Sequence, residues 1–161
     1  MLRELLSKED CSKCRLCCQF QEDELMDAPT FTEDEKKYVI ENIDSKINFI
    51  KKGEIYQIEL NREKNNIYKC PLLTPHGCIL ENKPFDCESW PYYVMKKDDD
   101  YVITLSNDCP IMSKMDEEKL KLFIDNKFKD IAIEIIKKYP DMITNYNREL
   151  KILYTINKKE L

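Results

Sequence analysis

Hydrophobic and polar positions along this chain repeat with two different periods, and the switches between them mark its elements. Thr32-Glu33-Asp34-Glu35 is a capping-box signature, and Val39, Ile40, Ile43 and Ile47 follow at helical spacing, so a helix with an ordinary core face is predicted there. Gly53 breaks that pattern. Ile55 to Leu60 then alternates Tyr56, Ile58 and Leu60 against Gln57 and Glu59, as a half-buried strand does, and a short strand is predicted at Ile67 to Lys69. Tyr92 to Lys96 and Tyr101 to Ser106, separated by Asp98-Asp99-Asp100, form a predicted β-hairpin. From Asp116 to Tyr139 a long amphipathic helix is predicted, with Leu120, Phe123, Ile124, Ile131 and Ile135 on its inner stripe and Pro140 at its end. Met142 to Leu161 fits two patterns: Leu150, Ile152, Tyr154 and Ile156 alternate like a strand, while the residues before them suit a helix.

Two segments depart from these periods. Ser7 to Gln19 can be helical, with Ser7 as N-cap and Glu9 and Asp10 in the first turn. On such a helix Cys11, Cys14 and Cys18 share a face, and Cys17 points about 100° away from Cys18. From Cys70 to Pro91, by contrast, Pro71, Pro75, Gly77, Pro84 and Pro91 prevent any long regular element. That stretch reads as a structured loop carrying Cys70, Cys78 and Cys87. No internal repeat and no low-complexity linker interrupts the chain.

The expected fold is α+β: a small single domain over 1–161, with a cysteine-rich irregular metal-binding core at about 11–110, a β-hairpin, flanking helices, and a C-terminal helical part at about 113–161. Net charge is −5, and the basic pairs Lys96-Lys97, Lys137-Lys138 and Lys158-Lys159 are dispersed, which argues against a nucleic-acid partner. No stretch approaches the ~18 apolar residues of a spanning helix, and the segment before Cys11 lacks the pattern of a cleaved leader. A cytoplasmic, soluble protein with no membrane contact is therefore expected.

The eight cysteines change the picture most. Four are packed as Cys11-x-x-Cys14-x-x-Cys17-Cys18, and the others stand at Cys70, Cys78, Cys87 and Cys109. A chain of this length does not need disulfide staples, and a reducing compartment disfavours them, so this many thiols point to metal ligation. The Cys-x-x-Cys-x-x-Cys run resembles the three-ligand run of bacterial ferredoxins, whose fourth ligand is followed by proline; Cys70-Pro71 and Cys109-Pro110 both offer that context. Zinc is the alternative. It is placed second because a structural zinc site commonly uses two Cys-x-x-Cys knuckles, and the downstream cysteines supply no second one.

His76, in a Pro-His-Gly turn, is read as a solvated turn residue rather than a ligand. Cys18 and Cys109 also suit plain core packing, and Trp90, Tyr92 and Tyr93 either shield a cluster or belong to the core. With one histidine, no Ser-His-Asp order and no phosphate loop, general acid–base and nucleophilic enzyme classes find little support.

Cys11-x-x-Cys14-x-x-Cys17-Cys18, Cys70-Pro71-x-Leu73, Gly77-Cys78 and Pro84-x-x-Cys87-x-x-Trp90-Pro91, in that order, resemble the CxxCxxCC family of zinc- or iron-chelating proteins, also called YkgJ-like cysteine-cluster proteins. The resemblance covers about Cys11 to Pro110 and implies metal or iron–sulfur binding. The chain departs from the family where Lys83 and Glu88 replace the usual arginines, so no anion-binding role is carried over to them. Flagellin lysine methylases carry a similar cysteine cluster, which makes cluster-dependent methyl transfer a further alternative. Against it, the chain has only Gly53 and Gly77, and Gln21 stands where a Cys-x3-Cys-x2-Cys run would place its third cysteine.

The function expected is thus an iron–sulfur protein of [4Fe-4S] type, in electron transfer or as accessory to a partner enzyme, with a redox or accessory protein as partner. The candidate ligands are Cys11, Cys14, Cys17, Cys18, Cys70, Cys78, Cys87 and Cys109. A zinc-stabilised interaction module is the alternative.

Overall fold

The computed structural model describes residues 4–161 and has the α+β class expected, with short antiparallel sheets and a hairpin. It divides into two compact units, Ser7–Glu88 and Ser89–Leu161 together with residues 4–6. No described helix is long and apolar enough to cross a membrane.

The first unit opens with α1 (Lys8–Cys14), capped by Ser7, whose Oγ accepts the Asp10 amide at 3.0 Å. The helix does not run on to Gln19. Arg15 takes a left-handed backbone (φ 56°), its Nε donates to Ser12 O at 2.7 Å and its guanidinium to Pro75 O, and the chain turns through a 3-10 segment at Leu16–Cys18. Strand β1 (Gln19–Phe20) follows. Next come β2 (Thr30–Phe31) and the predicted helix α2 (Glu33–Asn42), whose cap is Thr32 with Glu35 reaching back to the Thr32 amide at 2.8 Å. Of its expected stripe, Val39 alone is buried within the helix, because the chain leaves helical geometry after Asn42.

Strands β3 (Phe49–Lys52) and β4 (Ile55–Ile58) form a hairpin that turns at Gly53, where φ is 59° and a side chain would be strained. In β4 the expected alternation fails at Gln57. It is buried because β4 is the central strand of the order β2-β4-β3, and its amide Nε2 donates to Met26 O (2.8 Å) and Ala28 O (2.9 Å). A polar residue is accommodated there by donating to two backbone carbonyls.

Strands β5 (Asn61–Arg62) and β6 (Tyr68–Lys69) complete a second small sheet with β1, in the order β1-β6-β5. The Cys70–Pro91 stretch is more regular than its prolines predict: β7 (Leu73–Thr74) and β8 (Gly77–Cys78) pair as a hairpin, and α3 (Phe85–Ser89) is one helical turn. The core of this unit gathers Phe31, Val39, Ile47, Ile58, Cys70, Leu72 and Leu80, with Cys18 and Cys78 packed against it.

In the second unit β9 (Tyr92–Lys97) and β10 (Asp100–Leu105) form the predicted hairpin, turning at Asp98 (φ 54°). The long helix exists in three parts: α4 (Glu117–Phe123), a π turn at Ile124–Phe128, and α5 (Lys129–Lys138). The wider turn shifts the apolar stripe, so Phe128, Ala132, Ile135 and Ile136 are buried and Ile131 stays half-exposed. Tyr92 stacks on Phe123 and Phe128 with ring centroids 5.9 and 5.2 Å apart, which makes it core.

Beyond Lys138 the expected helical C-terminal part gives way to strands. β11 (Thr144–Asn145) runs parallel to β9, and β12 (Lys151–Ile156) runs antiparallel to β10, giving the order β11-β9-β10-β12. The strand reading of this stretch prevails because β10 offers an edge to pair with, but the alternation does not hold: a register shift opposite Ile103/Thr104 leaves Leu153 and Ile156 buried and Ile152 and Tyr154 half-buried.

Candidate metal centre

Backbone pairing inside the first unit brings cysteines from distant positions together. Gln19 pairs with Lys69, so Cys18 and Cys70 stand just outside that register and are joined directly, Cys70 N donating to Cys18 O at 3.1 Å. The β7–β8 hairpin folds Cys78 back opposite Leu73, and Ile79 N donates to Leu72 O at 2.9 Å, which returns Cys78 toward Cys70. Cys87 arrives on α3, whose start is anchored by Asp86: its Oδ2 accepts both the Thr30 amide (2.8 Å) and the Thr30 hydroxyl (2.9 Å). Burial raises the Asp86 pKa, against these two hydrogen bonds, which favour the carboxylate.

The adjacent pair is where the structure differs most from a helical reading. On the Leu16–Cys18 turn the sulfurs of Cys17 and Cys18 are 3.9 Å apart rather than splayed to different sides. The 3-10 turn itself spreads consecutive residues by about 120°, so the approach of the two sulfurs is a matter of side-chain torsion rather than of backbone direction. None of the eight cysteines forms a disulfide.

Electrostatics ties five thiols into one cluster. The hydrogen bond shared with Cys18, and then burial, raise the Cys17 pKa far above its ordinary value, against the opposing charge of Lys83. Burial pushes the Cys70 thiol up to about 12, with Cys78 and Cys17 adding to the rise. Burial, then Asp86, Cys70, Cys78 and Cys17, hold the Cys87 thiol well above its usual range. Lys83, half-buried on the segment between Cys78 and Cys87, completes the set: burial disfavours its ammonium, but Cys78, Cys17, Cys87 and Cys18 outweigh that and raise its pKa. Among the described residues no carboxylate forms a salt bridge with Lys83.

Cys17, Cys18, Cys70, Cys78 and Cys87 thus share one environment. Cys11 and Cys14 sit on α1, exposed and half-buried respectively. Cys109 belongs to the second unit, buried at 4% exposure, where its sulfur accepts the Met112 amide at 3.5 Å. That is the environment of a packed core thiol. His76 is exposed in its turn, its amide donating to Thr74 Oγ1 at 3.2 Å.

Among the described residues, no three Cys, His, Asp or Glu side chains stand grouped to hold a metal ion. The five thiols are nonetheless the right chemistry for a thiophilic metal. They are soft donors, and the raised pKa values of Cys17, Cys70 and Cys87 mean that ionising those three demands positive charge beyond the single ammonium of Lys83. A bound cation supplies that charge and deprotonates its thiols outright. Lys83 and Asp86 are the two residues of this site that spacing did not single out. The signal for Lys83 was its place in a proline-bounded loop between two cysteines.

No family model matches the chain, and no curated protein or solved structure matches it.

Proposed function

We propose that this chain is a metal-binding cysteine-cluster protein that carries an iron–sulfur centre and serves in electron transfer or as accessory to a partner enzyme in the cytoplasm. One observation carries the reading: Cys17, Cys18, Cys70, Cys78 and Cys87 come from four separate places in the chain to one environment around Lys83. Core packing alone gives a poor account of it, since burying several ionisable thiols beside one ammonium has no packing advantage over aliphatic residues.

The ligands would be drawn from those five, with Cys11 and Cys14 standing on α1, which packs against β8. When bound, an iron–sulfur centre supplies one-electron chemistry whose potential depends on net charge and solvent exposure. This chain's own contributions are a partly apolar wall from Leu72 and Leu80, and the Lys83 ammonium, which offsets negative charge. The resemblance to the CxxCxxCC family supports the same reading. A zinc-stabilised module is the second reading, favoured by the 3.9 Å separation of the Cys17 and Cys18 sulfurs, which suits two ligands of one tetrahedral ion.

The test is metal and acid-labile sulfide analysis of anaerobically purified protein, with its visible spectrum. Iron with matching sulfide and dithionite-bleachable absorption is expected. Zinc without sulfide would replace the iron–sulfur reading with the zinc module, and protein free of both after reconstitution would reject both.

A further inference from the structure

The Cys17–Cys18 pair has a capacity of its own. Its sulfurs are 3.9 Å apart. Two sulfurs bonded to one tetrahedral ion at about 2.3 Å each are separated by roughly 3.8 Å, whereas a disulfide closes to about 2.05 Å. The pair is therefore reduced and close enough for joint attachment to a third atom, the sulfurs drawing somewhat closer for a pyramidal atom such as trivalent arsenic, whose bond angles are narrower than tetrahedral.

Its backbone is held from both sides. Cys18 N donates to Arg15 O (3.1 Å), and Cys18 O accepts Cys70 N (3.1 Å). Arg15 in turn is tied to Ser12 O and to Pro75 O, which binds the turn to the β7–β8 hairpin. Both residues are half-buried, so the pair is fixed yet reachable. A donor pair already ordered loses little side-chain freedom on binding, which is where flexible dithiols forfeit affinity.

We propose that Cys17 and Cys18 form a preorganised chelating dithiol, a site for one soft, thiol-seeking atom such as trivalent arsenic. The site uses two of the thiols from which the iron–sulfur ligands would be drawn, but it needs none of the other six cysteines and is tested in metal-free protein. With a monosubstituted arsenoxide the chemistry balances without oxidant or reductant. Two S–H bonds and the arsenic–oxygen bonds break, two As–S bonds form, the two protons leave with the oxygen as water, and arsenic stays trivalent.

The experiment uses the full-length, reduced, metal-free protein and phenylarsine oxide as probe. Intact mass should show a single adduct at one equivalent, formed with loss of water. Two of the eight cysteines should become unreactive to a thiol reagent, and peptide mapping should place both on the segment holding Cys17 and Cys18. Cys17→Ser is the decisive variant, because Cys17 lies outside the core cluster that Cys18 touches, and it should weaken binding at least tenfold. Cys109→Ser should bind as the parent does. A Cys17→Ser protein that is folded by circular dichroism and titrates like the parent overturns the proposal, as does a first equivalent mapped to Cys70, Cys78 or Cys87. Failure of the iron–sulfur reading appears instead as missing iron and sulfide and leaves this titration untouched.

Discussion

Asp86 is the residue whose loss should loosen the cysteine cluster without removing a thiol. Its Oδ2 accepts both the amide and the hydroxyl of Thr30, holding the helix that carries Cys87 against β2. Asp86→Ala leaves both Thr30 donors without that acceptor. Each unmet donor costs about 1–3 kcal/mol when buried, but Thr30 is only half-buried, and the mutation also relieves the cost of a buried carboxylate. A net loss of about 2 kcal/mol is expected, equivalent to a roughly 30-fold larger population of the opened helix. The assay is the alkylation rate of each cysteine in metal-free protein, followed by mass spectrometry. Cys87 should be labelled up to roughly 30 times faster in Asp86→Ala, Asp86→Asn should stay within about threefold because it keeps an acceptor oxygen, and Cys109 in the other unit should change much less. Unchanged Cys87 labelling refutes the anchoring role. Equal acceleration of Cys87 and Cys109 refutes local opening.

Lys83→Met should slow alkylation of Cys17 and Cys70 at about pH 8 by at least about threefold, because the ammonium lowers both thiol pKa values; unchanged rates would place Lys83 outside the cluster's field. Gln57→Leu should cost about 1–3 kcal/mol, seen as a lower urea midpoint, because the Met26 and Ala28 carbonyls lose their donor inside the first unit. Glu160 has its pKa held below the ordinary carboxyl value, first by the hydrogen bond from Lys129 and then by the Asn157 amide. Its stabilising contribution is present above about pH 4.3 and is lost as pH falls through the lowered pKa, so protection of the C-terminal turn in hydrogen exchange should drop there in the parent and stay flat in Glu160→Gln.

Local signals carried the elements whose cause is local. Ser7, Thr32 and Asp116 cap helices as their side chains dictate, and the alternating residues of the β9–β10 hairpin and of β12 became strands. Failures came where a distant partner decided. Gln57 reads as a surface residue in its own strand, and only the carbonyls of Met26 and Ala28 make its burial possible. The π turn at Ile124–Phe128 displaced Ile131 from the core, since a single inserted residue alters a helical stripe that periodicity assumes continuous.

The candidate site divides in the same way. Thiol number, the doubled cysteine and the proline-bounded loop were legible from residue order, because metal ligation demands particular residue types whatever the fold. Which thiols meet was not. Cys18 and Cys70 are joined by strand pairing across about fifty residues, Cys78 by a hairpin, and Cys87 through the Asp86–Thr30 anchor, while Cys109 entered a different unit. Composition and spacing therefore determined the chemistry this protein can offer. Its distribution among eight cysteines, and the ammonium placed among five of them, were decided by tertiary structure, because proximity between distant residues is set by pairing and burial that no local pattern encodes.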